Sequence, residues 1–211
     1  MKFPLAFGPP RASLRAAVAG LALAFALGAC SATQSSVPPA STPTDFGTPP
    51  TDDTTSGPGD STAVVIDPAL LLVLPATVDG LPVEESPEGD ESAQTEPALA
   101  KLATSAVGGV AVDTGTTDLA YALVVKLRPG ALSDSTFRDW RDSYDEGTCG
   151  GASAVVGHGE TLIAGRNVFI GTCSGGLRTY HVWIKEKDLL ISVSSLGPRK
   201  LGELLLAQLH P

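Results

Sequence analysis

The sequence predicts an α+β domain over residues 63–211: an antiparallel sheet ending in a C-terminal β-meander, with helices packed on one of its faces. Three observations predict it. Segments 167–173 and 178–185 flank Ser174-Gly175-Gly176, the composition of a hairpin turn. Within 188–194, Leu189, Ile191 and Val193 alternate with Leu190, Ser192 and Ser194, so one face of that strand is apolar and the other mostly polar. Phe137, Trp140 and Tyr144 recur at helical spacing and put three rings on one side of a helix.

In chain order, Asp67-Pro68 ahead of Ala-Leu-Leu-Leu-Val-Leu reads as an N-cap, a proline at the first helical position and a short buried helix that stops at Pro75. Residues 78–83 read as a turn running into an edge strand, and the polar stretch 86–94 as a loop. Thr95 opens a helix predicted over 96–106, rich in Ala and Leu. Leu119–Leu127 is β-branched and apolar, which predicts a strand ending at Pro129-Gly130. A second helix is predicted over 133–146, and its aromatic stripe reads as a core face rather than a binding platform. Glu186-Lys187 turns the meander into its last strand, and Gly197-Pro198 breaks the chain before a closing helix over 199–209. Leu201, Leu204, Leu205 and Leu209 share one side of that helix. This order of elements resembles the Mog1/PsbP-like layout of some lipoproteins, a likeness of fold that implies no activity.

The first 30 residues read as an address. Lys2, Arg11 and Arg15 make a positive region with no acidic residue before Cys30. The apolar run 16–26 suits a signal core and is short for a membrane span, which needs about 20 residues. Leu27-Gly28-Ala29-Cys30 then resembles the lipobox of bacterial lipoproteins. The resemblance implies that 1–29 is a signal peptide and that Cys30 becomes the acylated, palmitate-bearing first residue of the mature chain. It implies anchoring to the outer face of the cytoplasmic membrane or to the cell surface. Arg11 and Arg15 are not adjacent, which favours the general secretory route over the twin-arginine one. Ser31 is not the Asp that holds enterobacterial lipoproteins at the inner membrane.

Residues 30–62 follow as a lipidated cysteine and a tether. From 31 to 62, 20 of 32 residues are Ser, Thr or Pro, a composition that cannot bury enough surface to offset the entropy of ordering. The plain reading is a stalk that lifts the domain off the membrane, and the alternative is O-glycosylation of the Thr/Pro-rich run. Residues 31–100 carry 12 acidic and no basic side chains, whereas 101–211 carry 11 of each. That distribution argues against a nucleic-acid partner and against electrostatic docking on anionic lipid. The clustered carboxylates lack a DxDxDG-type loop to wrap Ca²⁺ and read as solvated charge.

Lipidation of Cys30 leaves Cys149 and Cys173, which predict a disulfide in an oxidising compartment. The rival, a metal or redox pair with His158 or His181, matches no zinc spacing and no CxxC motif. Residues 171–176 resemble the nucleophile segment of chymotrypsin-like proteases around Ser174, but Cys173 stands where Asp is required and His158 lies too close in sequence. His158 reads as a solvated histidine in a flexible loop beside Glu160. His181 and Trp183 share a strand face with Thr179. If that face is open they form a ligand-facing patch, and if a helix covers it they are core. No catalytic set, metal site or cofactor motif stands out. The expectation is a non-enzymatic binding or accessory module of the cell envelope, with a protein or glycan partner. The alternative is a surface hydrolase with a cryptic site near His158 and His181.

Overall fold

The computed structural model describes residues 63–211, so the signal, Cys30 and the tether lie outside the described residues. Strand β1 is Val65–Ile66, and a 3₁₀ turn follows at Pro68–Val73, capped by Asp67 accepting the Ala69 N–H at 3.0 Å. Strands β2 (Thr77–Val78) and β3 (Leu81–Pro82) form a two-residue hairpin through Asp79 and Gly80, both at positive φ, as a primed turn requires. Next come β4 (Glu84–Glu85), α1 (Pro87–Thr95), α2 (Pro97–Leu102), β5 (Ala103–Val112) and β6 (Leu119–Leu127). Helix α3 (Asp134–Cys149) precedes β7 (Val155–Ile163), β8 (Arg166–Cys173), β9 (Arg178–Ile184), β10 (Leu189–Leu196) and α4 (Leu201–Ala207).

The main sheet has eight strands in the order β1-β5-β6-β10-β9-β8-β7, with β4 beside β1 on the outer edge of β5. Every pairing is antiparallel except β1 with β5. The α+β class and the C-terminal meander are therefore as the sequence predicts. The expectation of helices on one face is not met, because both faces are covered. Strand β6 shows why, since its side chains alternate between two cores. Ala120, Ala122 and Val124 join Ile191, Val193, Leu201 and Leu205 under α4 and the 3₁₀ turn. Tyr121, Leu123, Val125 and Leu127 join Leu99, Phe137, Trp140 and Tyr144 under α1, α2 and α3.

Four local expectations are corrected. The polar stretch 86–94 is not a loop but α1: Ser86 accepts the Gly89 N–H, Pro87 opens the helix, and Glu88 and Asp90 sit in its first turn. The helix expected over 96–106 ends at Leu102, and from Ala103 the chain is β5. Residues 155–163 form the edge strand β7, so His158 is on a strand rather than in a loop. On α4, Leu206 is buried and Leu204 is partly exposed, at 38%. Among the described residues no helix is long and apolar enough to cross a membrane.

Candidate functional site

Helix α3 is capped at its start by Ser133, whose hydroxyl accepts the Thr136 N–H at 3.2 Å, and at its end by Gly150 in the left-handed region. Its buried face carries Phe137, Trp140 and Tyr144, as expected, and one residue further on, Asp145. The face lies across the polar side of β9 and β10. Buried indole and phenol groups need polar partners, and the alternating serines of β10 supply them. Trp140 Nε1 donates to Ser192 Oγ at 3.0 Å, and the Tyr144 hydroxyl meets Ser194 Oγ at 3.0 Å. The polar face of β10 is thus buried rather than solvated.

Asp145 is the centre of the cluster. His181, fully buried, places Nε2 2.9 Å from Asp145 Oδ1 and Nδ1 3.0 Å from Ser192 Oγ. The Thr179 hydroxyl donates to the same carboxylate oxygen. A His181 protonated on Nε2 makes these bonds a one-way chain, from the Trp140 N–H to Ser192, from Ser192 to His181, and from His181 to Asp145. The edge of the imidazole also meets the Tyr144 ring, with centroids 5.1 Å apart. Asp145 Oδ2 takes no aligned hydrogen bond, but His158 Nε2 stands 3.2 Å from it as an ion-pair contact. Burial by itself would raise the Asp145 carboxyl. The hydrogen bond and electrostatic attraction of His181, then the Thr179 hydroxyl and the electrostatic attraction of His158, hold it below the ordinary carboxylate range. Tyr144 is pushed up, mainly by burial.

Gly171 on β8 makes room for the carboxylate. A Cβ there would lie 2.5 Å from Asp145 Oδ2 and 2.7 Å from its Cγ. The Cys149–Cys173 disulfide joins the last residue of α3 to the last residue of β8, beside this contact. At the other end of α3, Lys185 bonds Asp134 at 2.8 Å and lies 4.4 Å from the centre of the Trp183 ring.

Of the sequence-predicted residues, the structure brings together Cys149 and Cys173, and it sets both His158 and His181 on one carboxylate. The face that His181 and Trp183 share is covered by α3. His181 is core, and Trp183, partly exposed, packs 5.9 Å from Phe137. Ser174 stays in the exposed hairpin turn, so the hydroxyl bonded to His181 is Ser192 instead. Ser192, His181 and Asp145 form a hydroxyl–imidazole–carboxylate series, but all three are buried. A cavity of about 20 Å³, room for roughly one water molecule, is lined by Leu99, Tyr121, Trp140 and Tyr144 rather than by the triad. What faces solvent is His158, 48% exposed and held by a buried carboxylate. Among the described residues no group of three or more His, Cys, Asp or Glu is arranged to hold a metal ion.

Sequence reasoning missed Asp145, Ser192 and Thr179. The signal was present in two places: polar tips on the aromatic stripe of α3, and a polar alternation on β10 facing it. The fold and the cluster define a disulfide-stapled α+β domain built around a buried carboxylate. Set against protein-family models, curated proteins and solved structures, the chain matches none.

Proposed function

We propose that this chain is an extracytoplasmic lipoprotein whose domain works as a non-enzymatic binding or accessory module of the cell envelope. Residues 1–29 direct export, Cys30 carries the acyl chains, and the acidic tether holds the domain off the membrane. The observation that carries the reading is the Cys149–Cys173 disulfide. Disulfides persist in oxidising compartments, and this one pairs two of the three cysteines of the chain. The third, Cys30, follows Leu27-Gly28-Ala29 and a positively charged apolar leader. Two acyl chains bury many methylenes at about 0.8 kcal/mol each, enough for stable anchoring. Burial of His181 and Ser192 keeps that hydroxyl from solvent, which weighs for the non-enzymatic reading over the hydrolase.

The test is Cys30→Ala in cells fed a palmitate analogue. The parent chain should be labelled and processed, and the variant should be unlabelled and accumulate as precursor. Unchanged processing of the variant would mean an ordinary secretory signal and no anchor. The hydrolase alternative rests on one observation, the half-exposed His158 held by buried Asp145. It requires that His158→Ala abolish a measurable esterase activity of the folded protein.

A further inference from the structure

We propose that β7 is a dimerisation edge, pairing antiparallel with β7 of a second copy about a two-fold axis through Gly159. The two outer edges of the sheet are treated differently. Along β5 the edge is closed: β1 pairs at one end and β4 at the other. Between them the Asp67 N–H donates to Ala106 O, the Ser86 N–H donates to Gly108 O, and Asp90 Oδ1 accepts the Gly108 N–H. Among the described residues, nothing pairs with the outer edge of β7, a strand of 9 residues. Sheets ordinarily guard such an edge with several charged residues, proline, bulges or a covering segment. β7 has only a bulge at one end and one carboxylate, Glu160, and it exposes Val156 at 62% and Leu162 at 67%. Its inner side is held by β8 and by the His158–Asp145 contact, so the edge is presented in a fixed conformation.

The order of residues selects a second copy as the occupant. Run antiparallel about Gly159, His158 stands opposite Glu160 of the second copy, and Glu160 opposite its His158. Gly157 meets Thr161, each pairing occurring twice by symmetry, and the regular register ends at the bulge that holds Val156. A register centred on Glu160 would set two carboxylates against each other, and one centred on His158 would oppose Glu160 to Val156. Only the Gly159 register sets each imidazole of the pair opposite a carboxylate. The described domain carries 19 acidic and 11 basic side chains, and its acidic excess lies in residues 67–96, whereas residues 101–211, which include β7, carry 11 of each. The pairing does not depend on the proposed anchor.

Single cysteines at positions 157 to 161 of the full chain test it, with oxidative crosslinking in the producing cells and the parent chain as baseline. A Cβ at Gly159 meets nothing within 4 Å, so Gly159→Cys leaves the monomer fold undisturbed. The homodimer band should peak at Gly159→Cys, fall at His158→Cys and Glu160→Cys, and vanish at Gly157→Cys and Thr161→Cys. In the Gly159→Cys background, Glu160→Gln removes two symmetric cross-strand charge pairs and should weaken association about 2- to 30-fold. A maximum at another position, crosslinks only to other proteins, no band above the parent, or association unchanged by Glu160→Gln would each overturn the proposal.

Discussion

Asp145 is a carboxylate taken out of water and held by two imidazoles and a hydroxyl. Removing one member of a buried charged network leaves the others uncompensated, so Asp145→Ala should cost about 3–5 kcal/mol in urea unfolding. Because its folded pKa is lowered, the contribution is fully present above the unfolded aspartate value of about 3.9 and is lost as pH falls through the folded value. An acid titration of stability should therefore show a steeper loss below about pH 4 in the parent than in Asp145→Asn. A parent and a variant of equal slope would remove Asp145 from the account. Gly171→Ala pushes a methyl into the same carboxylate and should cost about 1–3 kcal/mol, read from the same denaturation curves. At this scale the sequence was half legible. The ring stripe of α3 and the serine alternation of β10 were visible, but Asp145 looked like any other acidic residue of a polar helix. Only tertiary contact distinguishes it, because its partners come from β7 and β9, up to 36 residues away.

At the scale of elements, periodicity located β6, α3 and the meander, and it failed where composition imitated another structure. β5 is built mostly from Ala, Gly and Val, and its start, Ala-Thr-Ser-Ala, read as a continuation of the preceding helix. Its glycines have a packing reason. A Cβ on Gly109 would lie 2.7 Å from Leu74 of the loop after the 3₁₀ turn, and one on Gly108 would lie 3.2 Å from the Ser86 carbonyl oxygen. Small residues let elements close on both faces of the strand. α1 was hidden by its polarity, although its Ser-Pro-Glu start is a helix-opening signal. β7 was missed because two glycines and outward-facing polar residues erase the apolar alternation. The disulfide ties two of these elements, α3 and β8, across a sequence separation of 24. Closing a loop of that size stabilises by about 3–4 kcal/mol in the chain-entropy model. The paired Cys149→Ser and Cys173→Ser substitutions should lower the urea midpoint by that much stability, and an unchanged midpoint would show that packing alone holds α3 down.

For the whole molecule, two unlike halves meet near residue 100. The preceding 70 residues are wholly acidic in their charge and the remainder is neutral. The acidic part runs from the tether into the first strands and helices of the domain, a distribution that opposes capture of a polyanion. If the chain is anchored as proposed, confinement to a membrane raises the local concentration of β7 edges and so favours their pairing. The oxidised α+β domain was readable from sequence in class and in its cysteine pair. The second covered face was not, because a strand buried on both sides and one buried on a single side differ only in whether the alternate residues find partners. The most direct test of the account is mass spectrometry of the chain extracted from membranes and digested without reductant. The account predicts an N-terminal peptide beginning at diacylglycerol-modified Cys30, together with Cys149 and Cys173 in one linked pair. An unmodified N-terminus at another position, or Cys149 and Cys173 recovered as thiols, would contradict it.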